Sequence, residues 1–222
     1  MRGVDASTEE LRRAHDAIAE LYAERLPGMY ERLPVDRAVL DLFCTLVLDV
    51  GRSVADVGCG PGALVPFLAA RGLELHGVDL SPEMVLAARR DHPGVVFEVA
   101  DVRDLPFTDA SLAGVVAWYS LMYLAPQDRP RAFGEIARVV LPGGYVVVGY
   151  KEGDGTLRRG GRRVGVEFDI YWHPPEEMER RITDAGFDVV FRGGRPAGPD
   201  DEQPQGYLIA QRRPAPRSAT LG

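Results

Sequence analysis

The segment Val54-Ala55-Asp56-Val57-Gly58-Cys59-Gly60-Pro61-Gly62 leaves this chain little choice of architecture. A short apolar run rich in valine ends on an acid, turns through three glycines and enters an apolar stretch of helical character. Glycine has no Cβ and tolerates positive φ, so the turn is tight and its backbone is open to close approach by a ligand. Such a strand, turn and helix predicts parallel strands joined by right-handed crossovers.

The rest of the chain repeats that rhythm. Strands are predicted at 53–57, 73–79, 94–99, 114–118 and 144–150, with helices at 62–71, 82–91 and 127–140. Alternation of this kind builds a parallel sheet covered by helices on both faces. Ser81-Pro82 is a good N-cap and first-turn pair, and Leu141-Pro142-Gly143-Gly144 stops the last of these helices before the fifth strand.

Two helices precede the sheet. Ser7-Thr8-Glu9-Glu10 reads as a capping box opening a helix to about Leu26, and Val35, Val39, Phe43, Leu46 and Val50 mark an apolar stripe on a second helix. After a Gly- and Arg-rich stretch at 151–163, strict alternation predicts a strand at 164–173. Val164, Val166, Phe168, Ile170 and Trp172 form its apolar side; Gly165, Glu167, Asp169, Tyr171 and His173 form its polar side. A helix over 174–185 and two strands, 187–192 and 206–212, able to pair antiparallel, complete the pattern.

A chain of 222 residues, 45% hydrophobic, suits one domain over 1–213, with 1–50 as an N-terminal helical lid and 151–173 as an inserted loop and strand; the Pro-, Ala- and Ser-rich tail at 214–222 is expected to be disordered. A net charge of −7 opposes a phosphate-tracking surface, so no nucleic acid partner is expected. Cys44 and Cys59 stand alone, without metal-ligand or disulfide spacing, which fits a reducing cytoplasm and no bound metal. No apolar stretch approaches the ~20 residues of a membrane span, so no membrane partner is expected either.

The glycine turn by itself fits two ligands, since Gly58-x-Gly60-x-x-Ala63 also satisfies a dinucleotide fingerprint. Four segments together go further. VADVGCGPG (54–62), HGVDLSPEMV (76–85), VADVRDLPF (99–107) and LPGG (141–144) resemble the cofactor motifs of class I S-adenosylmethionine (SAM) methyltransferases. The similarity is strongest to the small-molecule branch that includes ubiquinone and menaquinone biosynthetic enzymes.

That resemblance implies an α/β, Rossmann-like, doubly wound seven-stranded sheet, mostly parallel with an antiparallel C-terminal strand. It also implies SAM as cofactor. Asp56, Gly58, Cys59, Gly60 and Gly62 would wall the methionine moiety and Asp79 would accept from the ribose hydroxyls. Asp101 and the Val102 amide would meet the adenine, Leu80 and Met84 would sandwich it, and the carbonyls near Ala117 or Trp118 would meet the amino group. A carboxylate only accepts while hydroxyls and amino groups donate, so the chemistry agrees.

Methyl transfer from a sulfonium depends chiefly on alignment, and a base is needed only for a protonated acceptor. Tyr119, Tyr123, Tyr171 and His173 are the candidates to orient or deprotonate it, His173 by its intrinsic pKa. His15, Asp16 and Tyr22 fall in the lid helix, with His15 where the resembling proteins commonly carry Tyr, and the arginines at 158–163 are either an anion site or charges in water. The expected activity is methylation of O, N or C on a small, aromatic or amphipathic acceptor, by a monomer or homodimer. A nicotinamide-dependent oxidoreductase and a non-catalytic SAM-binding protein are the alternatives. The segment Ala117-Trp118-Tyr119-Ser120 lacks the signature of a base-methylating enzyme.

Overall fold

The computed structural model describes residues 6–29, 32–198 and 201–214. Two helices, α1 (Ala6–Arg25) and α2 (Pro34–Leu48), lead into β1 (Ser53–Val57), α3 (Val65–Ala69), β2 (Glu74–Asp79), α4 (Pro82–Asp91), β3 (Val96–Val99) and β4 (Leu112–Trp118). There follow α5 (Arg129–Val139), β5 (Val140–Lys151), β6 (Leu157–Gly160), β7 (Phe168–Tyr171), α6 (Pro175–Asp184), β8 (Phe187–Arg195) and β9 (Gln205–Arg212).

Seven strands form one sheet in the order β3-β2-β1-β4-β5-β9-β8. The pairs β1–β2, β2–β3, β1–β4 and β4–β5 are parallel. Strand β9 is antiparallel to both of its neighbours, so it alone runs against the other six. The sheet is the doubly wound, mostly parallel one expected, and its order reverses between β1 and β4. At such a switch point the helices leave on opposite faces, and the strands' carboxyl ends open a crevice.

Side chains alternate across the sheet. Ala55, Val78, Val115 and Val148 face Phe133 and Ile136 of α5 and Met178 and Ile182 of α6. Val54, Val116 and Val147 face Phe43 and Val47 of α2 and Phe67 and Leu68 of α3. Helix α2 is rolled slightly from its expected stripe: Val39 and Phe43 are buried, Leu40 and Val47 join them, and Val35 is 40% exposed.

Several local expectations change. Helix α3 is shorter than 62–71 because Gly62 to Leu64 continue the glycine turn. Leu141 to Gly144 do not separate helix from strand; they form a bulge in β5, where the register against β4 shifts between Leu112 and Gly114. Ser7 is already inside α1, so the capping box does not form: Glu10 pairs with Arg159 and the Ser7 hydroxyl donates to Asp169. The span 164–173 is not one strand, since Gly161 and Gly165 take positive φ on either side of a single 3₁₀ turn and only Phe168–Tyr171 extends, pairing with β6 outside the main sheet. Its apolar side does pack as expected, with Phe168 and Ile170 against Ala14 of α1 and Met122. The tail beyond Pro214 lies outside the described residues.

Candidate active site

A cavity of about 490 Å³ opens at the carboxyl ends of β1, β2 and β4, a size within the roughly 300–1,000 Å³ of small-molecule sites. Its floor is the glycine turn. Gly58, Gly60 and Gly62 have φ of 74°, 53° and 83°, and the Gly58 and Cys59 amides donate to the Val78 carbonyl. The three glycines serve different ends. A Cβ on Gly58 would lie 2.3 Å from Ser120 Cβ and one on Gly62 would lie 2.7 Å from His92 Cδ2, whereas one on Gly60 would meet nothing within 4 Å. Gly58 and Gly62 are therefore required by the protein's own packing, and Gly60 leaves space facing the cavity. Gly62 is also the one cofactor candidate that does not line it.

Three acids reach this floor. Asp79 accepts from the Gly60 amide at 2.8 Å and the Ser81 amide at 2.9 Å, one per oxygen. Each oxygen keeps acceptor capacity for a ligand hydroxyl. Burial raises its pKa against those two hydrogen bonds. Asp56, 3% exposed, is pushed up to about 7 by burial and by the charge of Asp79. Burial likewise pushes the Cys59 thiol up, which keeps it protonated and apolar. Leu80, Met84 and Val102 complete this half of the lining.

The third acid, Asp101, is engaged differently from the expectation. Arg103 closes on it through Nε at 2.9 Å and Nη2 at 2.6 Å. The same guanidinium donates to Thr8 Oγ1 at 2.9 Å and pairs with Asp128 at 3.2 Å. Arg103 thus joins the end of β3, the start of α1 and the residue before α5 above the cavity. Nothing at the motif level pointed to it.

Helix α1 lies over the opening. Asp16 accepts from Ser81 Oγ at 2.6 Å, while that oxygen accepts from the Met84 amide and caps α4. Ile18 and Ala19 pack on Met84. His15 and Tyr22 line the cavity. His15 Nδ1 donates to the Leu11 carbonyl at 2.9 Å, which leaves Nε2 as the acceptor nitrogen of the neutral ring.

Beyond β4 the wall is aromatic. Trp118 stacks on Tyr207 at 5.4 Å between centroids, and Tyr123 meets the His15 ring edge-on at 5.0 Å. Tyr119 has φ of 57°, a sparse conformation for a residue with a side chain. Its hydroxyl donates to Asp36 Oδ1 at 3.1 Å. The other Asp36 oxygen accepts from Tyr207 Oη and from Arg195 Nε, each at 2.9 Å. Asp36 is fully buried and satisfied by three donors, and the network holds Tyr119 in its strained turn. Lys151, at the end of β5, also lines the cavity. Sequence reasoning passed over it, although it is the single lysine among 26 basic residues.

Two acceptor-side candidates lie elsewhere. Tyr171 and His173 do not line the cavity. Tyr171 packs under Arg129, whose guanidinium sits 4.8 Å from its ring centroid, and His173 is 1% exposed beside Tyr150. Burial, aided by the charge of Arg129, pushes His173 down to about 4. The alternation predicts a half-buried strand with a polar face, but the face bearing these two residues is covered by Leu121 and Arg129. The arginines at 158–163 do not line the cavity; they are surface charges, as one of the two expectations had it, and each is paired with an acid. Arg158 pairs with Asp154, Arg159 with Glu10 and Asp169, Arg162 with Glu167 and Arg163 with Glu202. Among the described residues no group of His, Cys, Asp and Glu could hold a metal ion, and no helix is long and apolar enough to cross a membrane.

The family described as methyltransferase domain matches residues 54–144. Malonyl-[acyl-carrier protein] O-methyltransferase of Erwinia billingiae is 35% identical over 148 residues, covering 65% of this chain and 53% of that protein. Trans-aconitate 2-methyltransferase of Methylobacterium nodulans is 38% identical over 122 residues, covering 50% and 43%. The chain spans about half the length of these curated relatives. Among solved structures, magnesium protoporphyrin IX methyltransferase from Synechocystis PCC 6803 with bound SAM superposes with a TM-score of 0.69 at 18% identity, covering 96% of this chain and 99% of that one.

Proposed function

We propose that the chain is a class I, SAM-dependent methyltransferase that transfers a methyl group to a nucleophilic atom of a small-molecule acceptor, a reading supported by the methyltransferase domain matched at 54–144 and by the methyltransferase relatives. The observation that carries the reading is the conjunction of Gly60, open toward the cavity, with Asp79 and Asp101 at successive strand ends of the same lining. A sulfonium cofactor of this class fits that set: acceptor-only carboxylates for its hydroxyl and amino donors, and a backbone turn free of side chains for close approach. When bound, it supplies an activated methyl group on sulfur.

The protein's own part is binding, orientation and exclusion of water. Asp79 and Asp101 fix one end of the ligand, and Asp56, raised to about 7, sets a carboxyl at the floor. Trp118, Tyr119 and Tyr123 wall the acceptor side, Tyr119 being held by Asp36. Helix α1 covers the opening, latched through Asp16 and Arg103. Placement of this kind supplies much of the acceleration in an in-line displacement. Where the acceptor arrives protonated, His15 Nε2 is the cavity imidazole available to take the proton; Tyr171 and His173 support the wall from behind. The aromatic lining suits an aromatic or amphipathic acceptor. The relatives' names, with malonyl and trans-aconitate acceptors, support a small metabolite or carrier-bound acyl group. The unit is one chain, acting as monomer or homodimer.

Calorimetric titration with SAM, S-adenosylhomocysteine and NADH tests the reading. Binding of the two sulfur ligands is expected, with Asp79→Asn weakening them about tenfold or more, as loss of a charge-assisted pair of hydrogen bonds does. A preference for NADH would overturn the proposal.

A further inference from the structure

Among 26 basic side chains the sequence has one lysine, and the fold puts it in the cavity wall. The arginines around it are committed. Arg195 is held by Asp36 and Asp201, and Arg163 by Glu202. Those pairings also engage Asp201 and Glu202, the two acids whose charge acts on Lys151. Among the described residues the ammonium of Lys151 has no ion-pair or hydrogen-bond partner. It is half-buried, and burial together with Arg163 lowers its pKa against the pull of Glu202 and Asp201. A partly dehydrated cation facing a ligand cavity without its own acid is poised for an anion from outside.

Resting on the methyltransferase reading, we propose that Lys151 binds the carboxylate of an acidic acceptor and so selects amphipathic carboxylic acids as substrates. The rest of the wall agrees. Trp118, Tyr119, Met122 and Leu124 offer apolar surface to the remainder of such a molecule. A single ammonium balances one negative charge and leaves the second charge of a phosphate dianion without a partner. Lysine suits the task because its compact ammonium turns three donors toward one carboxylate without the fixed fork of arginine. Strand β5 fixes the stem: Lys151 pairs with Gln205 of β9, and its carbonyl accepts from the His173 amide at 2.7 Å.

The test uses the full chain, with and without saturating S-adenosylhomocysteine, titrated with 3-phenylpropanoate, 3-phenylpropanamide and inorganic phosphate. The acid is expected to bind about tenfold tighter than the amide, the size of one charge-assisted contact. Lys151→Met should erase that preference and Lys151→Arg should keep part of it, both with unchanged affinity for S-adenosylhomocysteine. An independent readout needs no variant. Reductive ¹³C-methylation, which keeps the charge, labels one lysine side chain, and its methyl resonance should shift with the acid and stay still with the amide. Equal binding of acid and amide, no binding of the acid, a preference that survives Lys151→Met, or tighter binding of phosphate would each overturn the proposal. Loss of S-adenosylhomocysteine binding by the unaltered chain would instead defeat the methyltransferase reading, and the acid-to-amide comparison without it would still decide the role of Lys151.

Discussion

Gly60 and Gly62 stand two positions apart in one turn, and the structure separates what they do. Gly60→Ala should fold, at a cost of about 1 kcal/mol for a Cβ in a left-handed conformation, yet bind S-adenosylhomocysteine at least tenfold more weakly because the new methyl occupies space facing the cavity. Gly62→Ala drives a methyl toward His92 and should lower stability by about 1–3 kcal/mol in urea titration. His173 yields a pH prediction. Its folded pKa of about 4 lies below its ordinary value, so the neutral ring contributes stability above pH ~6.5 that is lost as pH falls toward 4. Following the urea midpoint from pH 7 to 4 should show this loss, up to about 3 kcal/mol, and His173→Phe should flatten it. At this scale the sequence was readable where a residue's role is local. Asp56, Asp79 and Asp101 lie at or just beyond the carboxyl ends of β1, β2 and β3, and all three reach the cavity. Tyr171 and His173 were misplaced because alternation tells which residues share a side and not what covers that side. Lys151 did carry a signal, its solitude in an arginine-rich chain, which composition pooled as Lys plus Arg conceals.

At the scale of elements, two of the lid's side-chain contacts reach residues of the cavity lining, Ser81 and Arg103. Asp16 meets the N-cap of α4, and Thr8 meets Arg103. The second contact shares its guanidinium with Asp101, so ligand binding at Asp101 and lid closure draw on the same side chain. Arg103→Ala should leave the sheet intact, with a urea midpoint close to the parent's, while hydrogen exchange of α1 amides speeds up and S-adenosylhomocysteine dissociates faster. An unchanged exchange pattern would remove Arg103 from the latch. The helices, and most strands, were legible from spacing, caps and glycines. The hairpin of β6 and β7 was not, because Gly161 and Gly165 break an otherwise regular alternation. The partners of its arginines were only partly legible: Asp154, Glu167 and Asp169 are close in sequence, while Glu10 and Glu202 are brought in by the fold.

On the scale of the molecule, the two halves of the cavity have different ancestry in the chain. The cofactor half comes from residues 56–102, nearly contiguous and therefore legible as motifs. The acceptor half is assembled by the buried Asp36, Tyr119, Arg195 and Tyr207, which no window of sequence contains. Arg195→Ala should destabilise the protein by roughly 3–5 kcal/mol, since it strips the Asp36 carboxylate of its cation inside the core; an urea midpoint shift under a third of that would show the two tyrosines suffice. The same network sets an order of events. Asp36 is 159 residues from Arg195 and 171 from Tyr207, so during synthesis a chain emerging from the ribosome completes its donor pocket long before its acceptor wall. A nascent chain halted before β8 would already hold every cofactor contact while Asp36 still lacked two of its three donors, Arg195 and Tyr207. Competence to choose a substrate arrives last, with the β8 and β9 pair.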